Sequence, residues 1–296
     1  MVLGGARHGP AVGGISVDGP ILVGVDGSEA GTRALDWAAG EAGVRRVALR
    51  LLHALPEPRA GRGNGPERDE ARRLLDRAEQ RVRRRVEGVE ATGELVEGDA
   101  ASALVARARD AGMVVVGTRG SGGLAGLMLG SVAFKVAAHS PVTVALASAV
   151  REPTTGRPEI VAGLDGTSAG AVLAEAFREA SLWQAPLRVV HAFRFFQVPD
   201  PVHSAELAAL LRRHRRAEER RIEEALAGWR TRFPDVPVTA EVVNDSARKA
   251  LPRVSAGAQL VVVGPHDHRD PLMPLGSVTY TVIHRCGCPV LIARPA

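Results

Sequence analysis

The chain has 296 residues, 45% of them apolar and 24% charged, which suits two ordinary globular domains and excludes a disordered polymer. Aromatics make up only 3%, so Val, Leu, Ile and Ala must build the cores. The formal charge of +5 can point to nucleic acid, and no apolar run reaches the roughly 18 residues that cross a bilayer.

Met1–Gly19 is glycine-rich and polar and lacks an apolar core, so it is expected to be a flexible leader and not a signal peptide. Ile21–Asp26 then reads as an apolar strand ending in an acid. Gly27-Ser28 supplies a turn and an N-cap, and a helical pattern runs from Ser28 to Gly43. A second strand spans Val47–Leu55, and the Gly-, Pro- and Arg-rich Pro56–Pro66 is a loop.

The next helix, from Glu67 to Val89, carries much of the positive charge. Arg72, Arg73, Arg77, Arg81, Arg83, Arg84 and Arg85 lie among Glu70, Asp76, Glu79 and Glu87, beside an apolar face of Leu74, Leu75, Ala78, Val82, Val86 and Val89. That pattern predicts a solvated outer face, and no aromatic residues interleave to stack on nucleic-acid bases. Nucleic acid is therefore not an expected partner.

A short strand is expected at Glu94–Glu97 and a helix over Ala100–Asp110. Met113–Val116 then feeds a glycine-rich segment containing Gly117, Gly120, Gly122, Gly123, Gly126 and Gly130. Ser131 is expected to N-cap the helix Val132–His139, and Ser140-Pro141 leads into a last strand, Val142–Ala147. Strand, glycine loop and helix N-terminus in this order suit phosphate. Glycine lets backbone N–H groups approach an anion, and the unpaired N–H groups of the helix favour negative charge. Arg119, inside the loop, can pair with a phosphate oxygen.

Alternating strands and helices specify a parallel sheet covered on both faces, with ligands bound beyond the carboxyl ends of the strands. Asp26, Ala54 and Gly117 fall at such ends.

The pattern then repeats. Ile160-Val-Ala-Gly-Leu-Asp165-Gly-Thr167 echoes Ile21–Ser28, Val189-Val-His-Ala192 echoes Leu51–Ala54, and Leu260–Gly264 echoes Val114–Gly117. Gly276-Ser277-Val278 echoes Gly130-Ser131-Val132, Pro289-Val290 echoes Pro141-Val142, and Ser204–Phe233 supplies a second long helix. An ordered series of this kind is an internal duplication. The expected boundaries are 1–19 for the leader, 20–148 for the first domain, 149–157 for the linker and 158–296 for the second domain.

The copies differ at the loop. Asp267 stands where the second glycine belongs, and Pro265–Leu275 brings in prolines and acids that oppose phosphate, with Arg269 in partial compensation. His266 and His268 read as loop residues and not as metal ligands. His53 and His191 read as packed, hydrogen-bonded side chains. Cys286 and Cys288 are too close in sequence for a strain-free disulfide and too few for zinc, so a reduced, cytoplasmic protein is expected. No Walker-type loop and no nucleophile–base set at supporting spacing is present.

The frame Gly117-x-x-Gly120, nine residues, then Gly130-Ser131, behind a strand ending in Val25-Asp-Gly-Ser28, resembles the universal stress protein family in its tandem form. The resemblance covers Pro20 to Pro295. It implies two doubly wound, five-stranded parallel-sheet α/β domains of the adenine-nucleotide α-hydrolase-like, Rossmann-like kind. Their last edge strands would pair, giving an intramolecular pseudo-dimer, and two chains can associate further.

It also implies an ATP site. Gly117, Thr118, Arg119, Gly120, Ser121, Gly130, Ser131 and Val132 would hold phosphate and ribose, Gly24 and Asp26 would lie at the nucleotide, and Ala54 would wall the base, with Mg²⁺ arriving through the nucleotide. A second, weaker site would use Gly163, Asp165, Ala192, Gly264, Arg269, Gly276, Ser277 and Val278. The implied function is nucleotide-dependent stress regulation through a protein partner whose identity the sequence does not give. The alternatives are a slow ATPase or related ATP-dependent enzyme, and a structural member that binds nothing.

Overall fold

A computed structural model describes residues 19–57, 65–118, 129–147, 158–165, 169–195, 204–265 and 275–295. The first repeat runs β1 (Ile21–Gly24), α1 (Glu29–Arg45), β2 (Leu49–Leu55), α2 (Gly65–Arg85), β3 (Ala91–Glu97), α3 (Ala100–Arg107), β4 (Met113–Gly117), α4 (Ser131–His139) and β5 (Val144–Ala147). The second runs β6 (Ile160–Leu164), α5 (Ala169–Leu182), β7 (Leu187–Phe193), α6 (Ser204–Arg232), β8 (Val238–Asn244), α7 (Ala247–Val254), β9 (Leu260–Val263), α8 (Ser277–Arg285) and β10 (Val290–Ile292).

All ten strands form one sheet in the order β3-β2-β1-β4-β5-β10-β9-β6-β7-β8. Every neighbouring pair is parallel except β5 with β10, which run antiparallel with Val290 opposite Leu146 and Ile292 opposite Val144. The expected pairing of the last strands is therefore present, and it turns two five-stranded sheets into one. One face is covered by α1, α2, α5 and α6, the other by α3, α4, α7 and α8, and each apolar cluster runs through both repeats.

Element ends shift from the sequence expectation: β1 stops at Gly24, α1 spans Glu29–Arg45, α2 starts at Gly65 inside the expected loop and stops at Arg85, and β5 starts at Val144. Three further differences have a local reason. Strand β2 starts at Leu49 because Arg46 adopts a left-handed conformation and Val47 N–H returns to Ala42 O (3.1 Å), closing the preceding helix. Strand β3 begins earlier, at Ala91, and pairs with β2 along its whole length. Helix α4 is capped by Gly130, in extended conformation, so Ser131 is its first helical residue and not its cap.

The repeats also meet through α1 and α5. Arg45 of α1 pairs with Glu41 on its own helix and with Glu179 of α5, and its Nη2 lies 2.6 Å from Glu175 Oε1. Trp183 Nε1 donates to Glu41 Oε2 across the same seam (3.1 Å). Glu41 and Glu179 are fully buried. Gln184, left-handed like Arg46, ends α5 as Arg46 ends α1, and Ala185 N–H returns to Ala180 O. That correspondence makes Glu41 and Glu179 equivalent positions, and likewise Arg45 and Trp183. Burial raises the Glu179 carboxyl well above its usual range, Glu41 adds to the rise, and Arg45 opposes it.

Candidate functional site

A cavity of about 310 Å³ opens at the carboxyl ends of β1, β2 and β4. That volume lies at the small end of the roughly 300–1,000 Å³ usual for ligand pockets. Its floor is small because small residues end the strands: Gly24 from β1, Ala54 from β2 and Gly117 from β4. A methyl group added to Gly24 would stand 3.1 Å from the Leu104 side chain. One added to Gly117 would stand 2.7 Å from the carbonyl oxygen of Ala30, so that strand end approaches the start of α1 too closely for any side chain.

The rim is polar. Asp26 Oδ1 accepts from Ser28 N–H (3.0 Å) and Ser28 Oγ (2.6 Å), and Ser28 Oγ in turn accepts from Gly31 N–H (3.0 Å) at the start of α1. Asp26 thus fixes the β1–α1 turn while lining the cavity. Across the opening, Gly130, Ser131, Val132 and Ala133 present the first turn of α4. The N–H groups of a helix's first turn lack partners within the helix, and Gly130 has no side chain to occupy them. Gly130 N–H donates to Thr118 O (2.8 Å), which draws together the two ends of the intervening loop. Thr118 itself is buried and does not line the cavity.

Of the expected set, Gly24, Asp26, Ala54, Gly117, Gly130, Ser131 and Val132 line this one cavity. Arg119, Gly120 and Ser121 lie outside the described residues, as do Arg269 and the histidine pair His266 and His268. The cavity also includes residues that the sequence reading missed. His53 faces it while its Nδ1 bonds to Val25 O (2.6 Å), and Ala100 and Leu104 of α3 form its back wall. Among the described residues, no group of three or more His, Cys, Asp or Glu side chains is placed to hold a metal ion.

The second repeat keeps the residue types but encloses them. Gly163, Gly264 and Gly276 are buried, whereas Gly24, Gly117 and Gly130 are only half-buried. A methyl group on Gly163 would meet Leu251 Cδ1 at 2.8 Å, tighter than at Gly24. Thr279 Oγ1 donates to Gly264 O (3.0 Å), tying α8 to the end of β9. Asp165 is exposed, and Ala192, Ser277 and Val278 keep partial exposure. His191 Nδ1 bonds to Leu164 O (3.2 Å), as His53 does to Val25 O.

The family model for the universal stress protein family matches residues 19–148 and again 157–294. The chain belongs to the universal stress protein family. It is 33% identical to the universal stress protein Rv1996 of Mycobacterium tuberculosis (strain H37Rv) over 303 residues, covering 93% of this chain and 94% of that one. Among solved structures, a universal stress protein from Archaeoglobus fulgidus DSM 4304 superposes with a TM-score of 0.69 at 19% identity, covering 94% of this chain and 97% of that chain. That likeness concerns the fold. A universal stress protein from Archaeoglobus fulgidus in complex with dAMP aligns at 31% identity and a TM-score of 0.35, covering 42% of this chain and 94% of that chain. Tandem universal stress protein repeats thus account for nearly the whole chain, and no described helix is long and apolar enough to cross a membrane.

Proposed function

We propose that the chain is a nucleotide-dependent stress regulator of the cytoplasm, whose first repeat binds ATP and whose second binds it weakly or not at all. The observation that carries this reading is the cavity beyond β1, β2 and β4, where three small strand-end residues face the first turn of α4. A flat base fits over Gly24 and Ala54, because no side chain fills the space there. The free N–H groups of Ser131, Val132 and Ala133 suit phosphate oxygens, and Asp26 suits a sugar hydroxyl, with Mg²⁺ carried in on the phosphates. The buried glycines of the second repeat support the asymmetry. Occupancy of the first site would then alter how the chain engages a protein partner.

The test is mass spectrometry of whatever small molecule co-purifies with the full chain, followed by calorimetric titration of ATP into the stripped protein. The expected results are an adenine nucleotide and one strong site per chain. Two equal sites would overturn the asymmetry, and an affinity for adenine nucleotides weaker than millimolar would overturn the reading itself.

A further inference from the structure

A second concavity lies on the opposite side of the β1–α1 turn from the nucleotide cavity, between α1 and α2, with a volume of about 620 Å³. Its rim is cationic. Arg77, Arg81, Arg84 and Arg85 of α2 line it, against one acid, Asp36 of α1. Leu35 and Leu74 contribute an apolar floor, and Gly27, in left-handed conformation, leaves room for Leu74 to close over the turn.

The arginines are not equivalent. Arg81 forks onto Asp36, with Nε 2.5 Å from Oδ1 and Nη2 2.7 Å from Oδ2, and Arg85 stands 3.9 Å from the same carboxylate. Asp36 is only 18% exposed and so holds Arg81 in place. Arg77 and Arg84 are exposed, and neither has an ion pair among the described residues. With one turn of helix rising about 5.4 Å, residues 77 to 85 span roughly 12 Å. Four cations and one anion thus border a single small concavity.

The second repeat lacks this arrangement. The hydrogen bonds Val86 N–H to Val82 O and Phe233 N–H to Trp229 O, together with the β3 and β8 registers, align α2 with α6. Glu224, Gly228 and Thr231 then stand where Arg77, Arg81 and Arg84 do, Arg232 alone keeps the cation of Arg85, and Ala174 replaces Asp36. A solvated helix face needs no such carboxylate anchor. The set therefore belongs to the groove of the first repeat.

We propose that the α1–α2 groove of the first repeat is a second, separate ligand site, for a compact polyanion carrying two or more phosphates. Guanidinium forks match phosphate oxygens in pairs, and the volume and apolar floor suit a small molecule better than an extended peptide. Arg81 and Arg85, steadied by Asp36, supply a fixed wall, while Arg77 and Arg84 close on the anion. The site stands whether or not the first cavity binds ATP.

Calorimetric titration of inorganic tripolyphosphate into the full chain at low salt tests this. The expected result is saturable binding that weakens as salt is raised and falls at least tenfold in R77Q/R84Q. Both side chains are exposed, so the double variant keeps the thermal transition of the parent. A54L, which narrows only the nucleotide cavity, leaves this affinity within twofold. Equal affinity in the parent and R77Q/R84Q, no saturable binding, or loss in A54L alone would overturn the proposal. Tighter binding of poly-glutamate than of tripolyphosphate would reassign the groove to an acidic protein segment and overturn the phosphate assignment.

Discussion

Arg45 and Glu179 lie on different repeats, on the facing helices α1 and α5, and form a buried ion pair at the seam. Arg45 also holds Glu41 and Glu175, so one guanidinium serves three carboxyl groups that are all nearly inaccessible to water. Removing one partner of a buried pair usually costs about 3–5 kcal/mol, because the remaining charge stays buried. Arg45→Met is therefore expected to destabilise the chain by about that much. Urea denaturation at neutral pH measures it, and a loss below about 1 kcal/mol would show that the cluster carries little of the fold.

The same cluster sets a pH dependence. Burial, reinforced by Glu41, raises the Glu179 carboxyl well above its usual range. Between the unfolded value, near 4.3, and the raised folded value, the folded chain binds a proton that the unfolded chain has lost. The Glu179 contribution is thus complete below that unfolded value and fades as pH rises through the folded one. Glu179→Gln keeps the shape and removes the ionisation, so its unfolding free energy is expected to vary less between pH 5 and 9. Parallel slopes for the two proteins in paired denaturation series would contradict this.

Ala54 is half-buried, and its methyl group borders the first cavity at the end of β2. Ala54→Leu adds volume to empty space and not to the packed core. It is expected to weaken adenine-nucleotide binding at least tenfold, about 1.4 kcal/mol, while changing stability by less than about 1.5 kcal/mol. Calorimetry and thermal denaturation on the same preparation separate the two effects. Unchanged affinity would move the base elsewhere.

Arg294 follows β10, yet its Nη2 donates to Ala137 O (2.7 Å) and Ala138 O (3.1 Å) at the carboxyl end of α4. The second repeat thereby satisfies the carbonyl groups of the helix whose other end lines the first cavity. Hydrogen bonds from a charged donor contribute about 1.5–3 kcal/mol each, reduced here because burial itself pulls the Arg294 pKa down. Arg294→Ala is expected to cost about 1–3 kcal/mol and to speed amide exchange selectively in the last turn of α4. Uniform exchange along the whole chain would argue against this local role.

The floor of the first cavity is legible in sequence because Gly24, Ala54 and Gly117 recur, with Gly163, Ala192 and Gly264, at matching strand ends. Its back wall is not. Ala100 and Leu104 carry no mark of their own and reach the cavity only when α3 folds across β1 and β2. Ser131 shows a different limit: a hydroxyl beside a glycine looks like a cap, but the extended Gly130 takes that place. The seam is the least legible part. Glutamates on amphipathic helices ordinarily face water, and only the antiparallel β5–β10 junction brings Glu41 and Glu179 together. The arginine stripe of α2 was legible as charge, while its enclosure by α1 required the fold.

The antiparallel junction makes the two repeats partners in one chain, and their seam residues differ. Arg45 has Trp183 as its counterpart, so the second repeat brings Glu175 and Glu179 to the seam without the arginine that holds them. Two second repeats, pressed together in this way, would bury four acids with no Arg45 between them. Like would reject like. The duplicated halves are thus unequal at the seam, where the first repeat brings Arg45 and the second brings Glu175, Glu179 and the Trp183 donor.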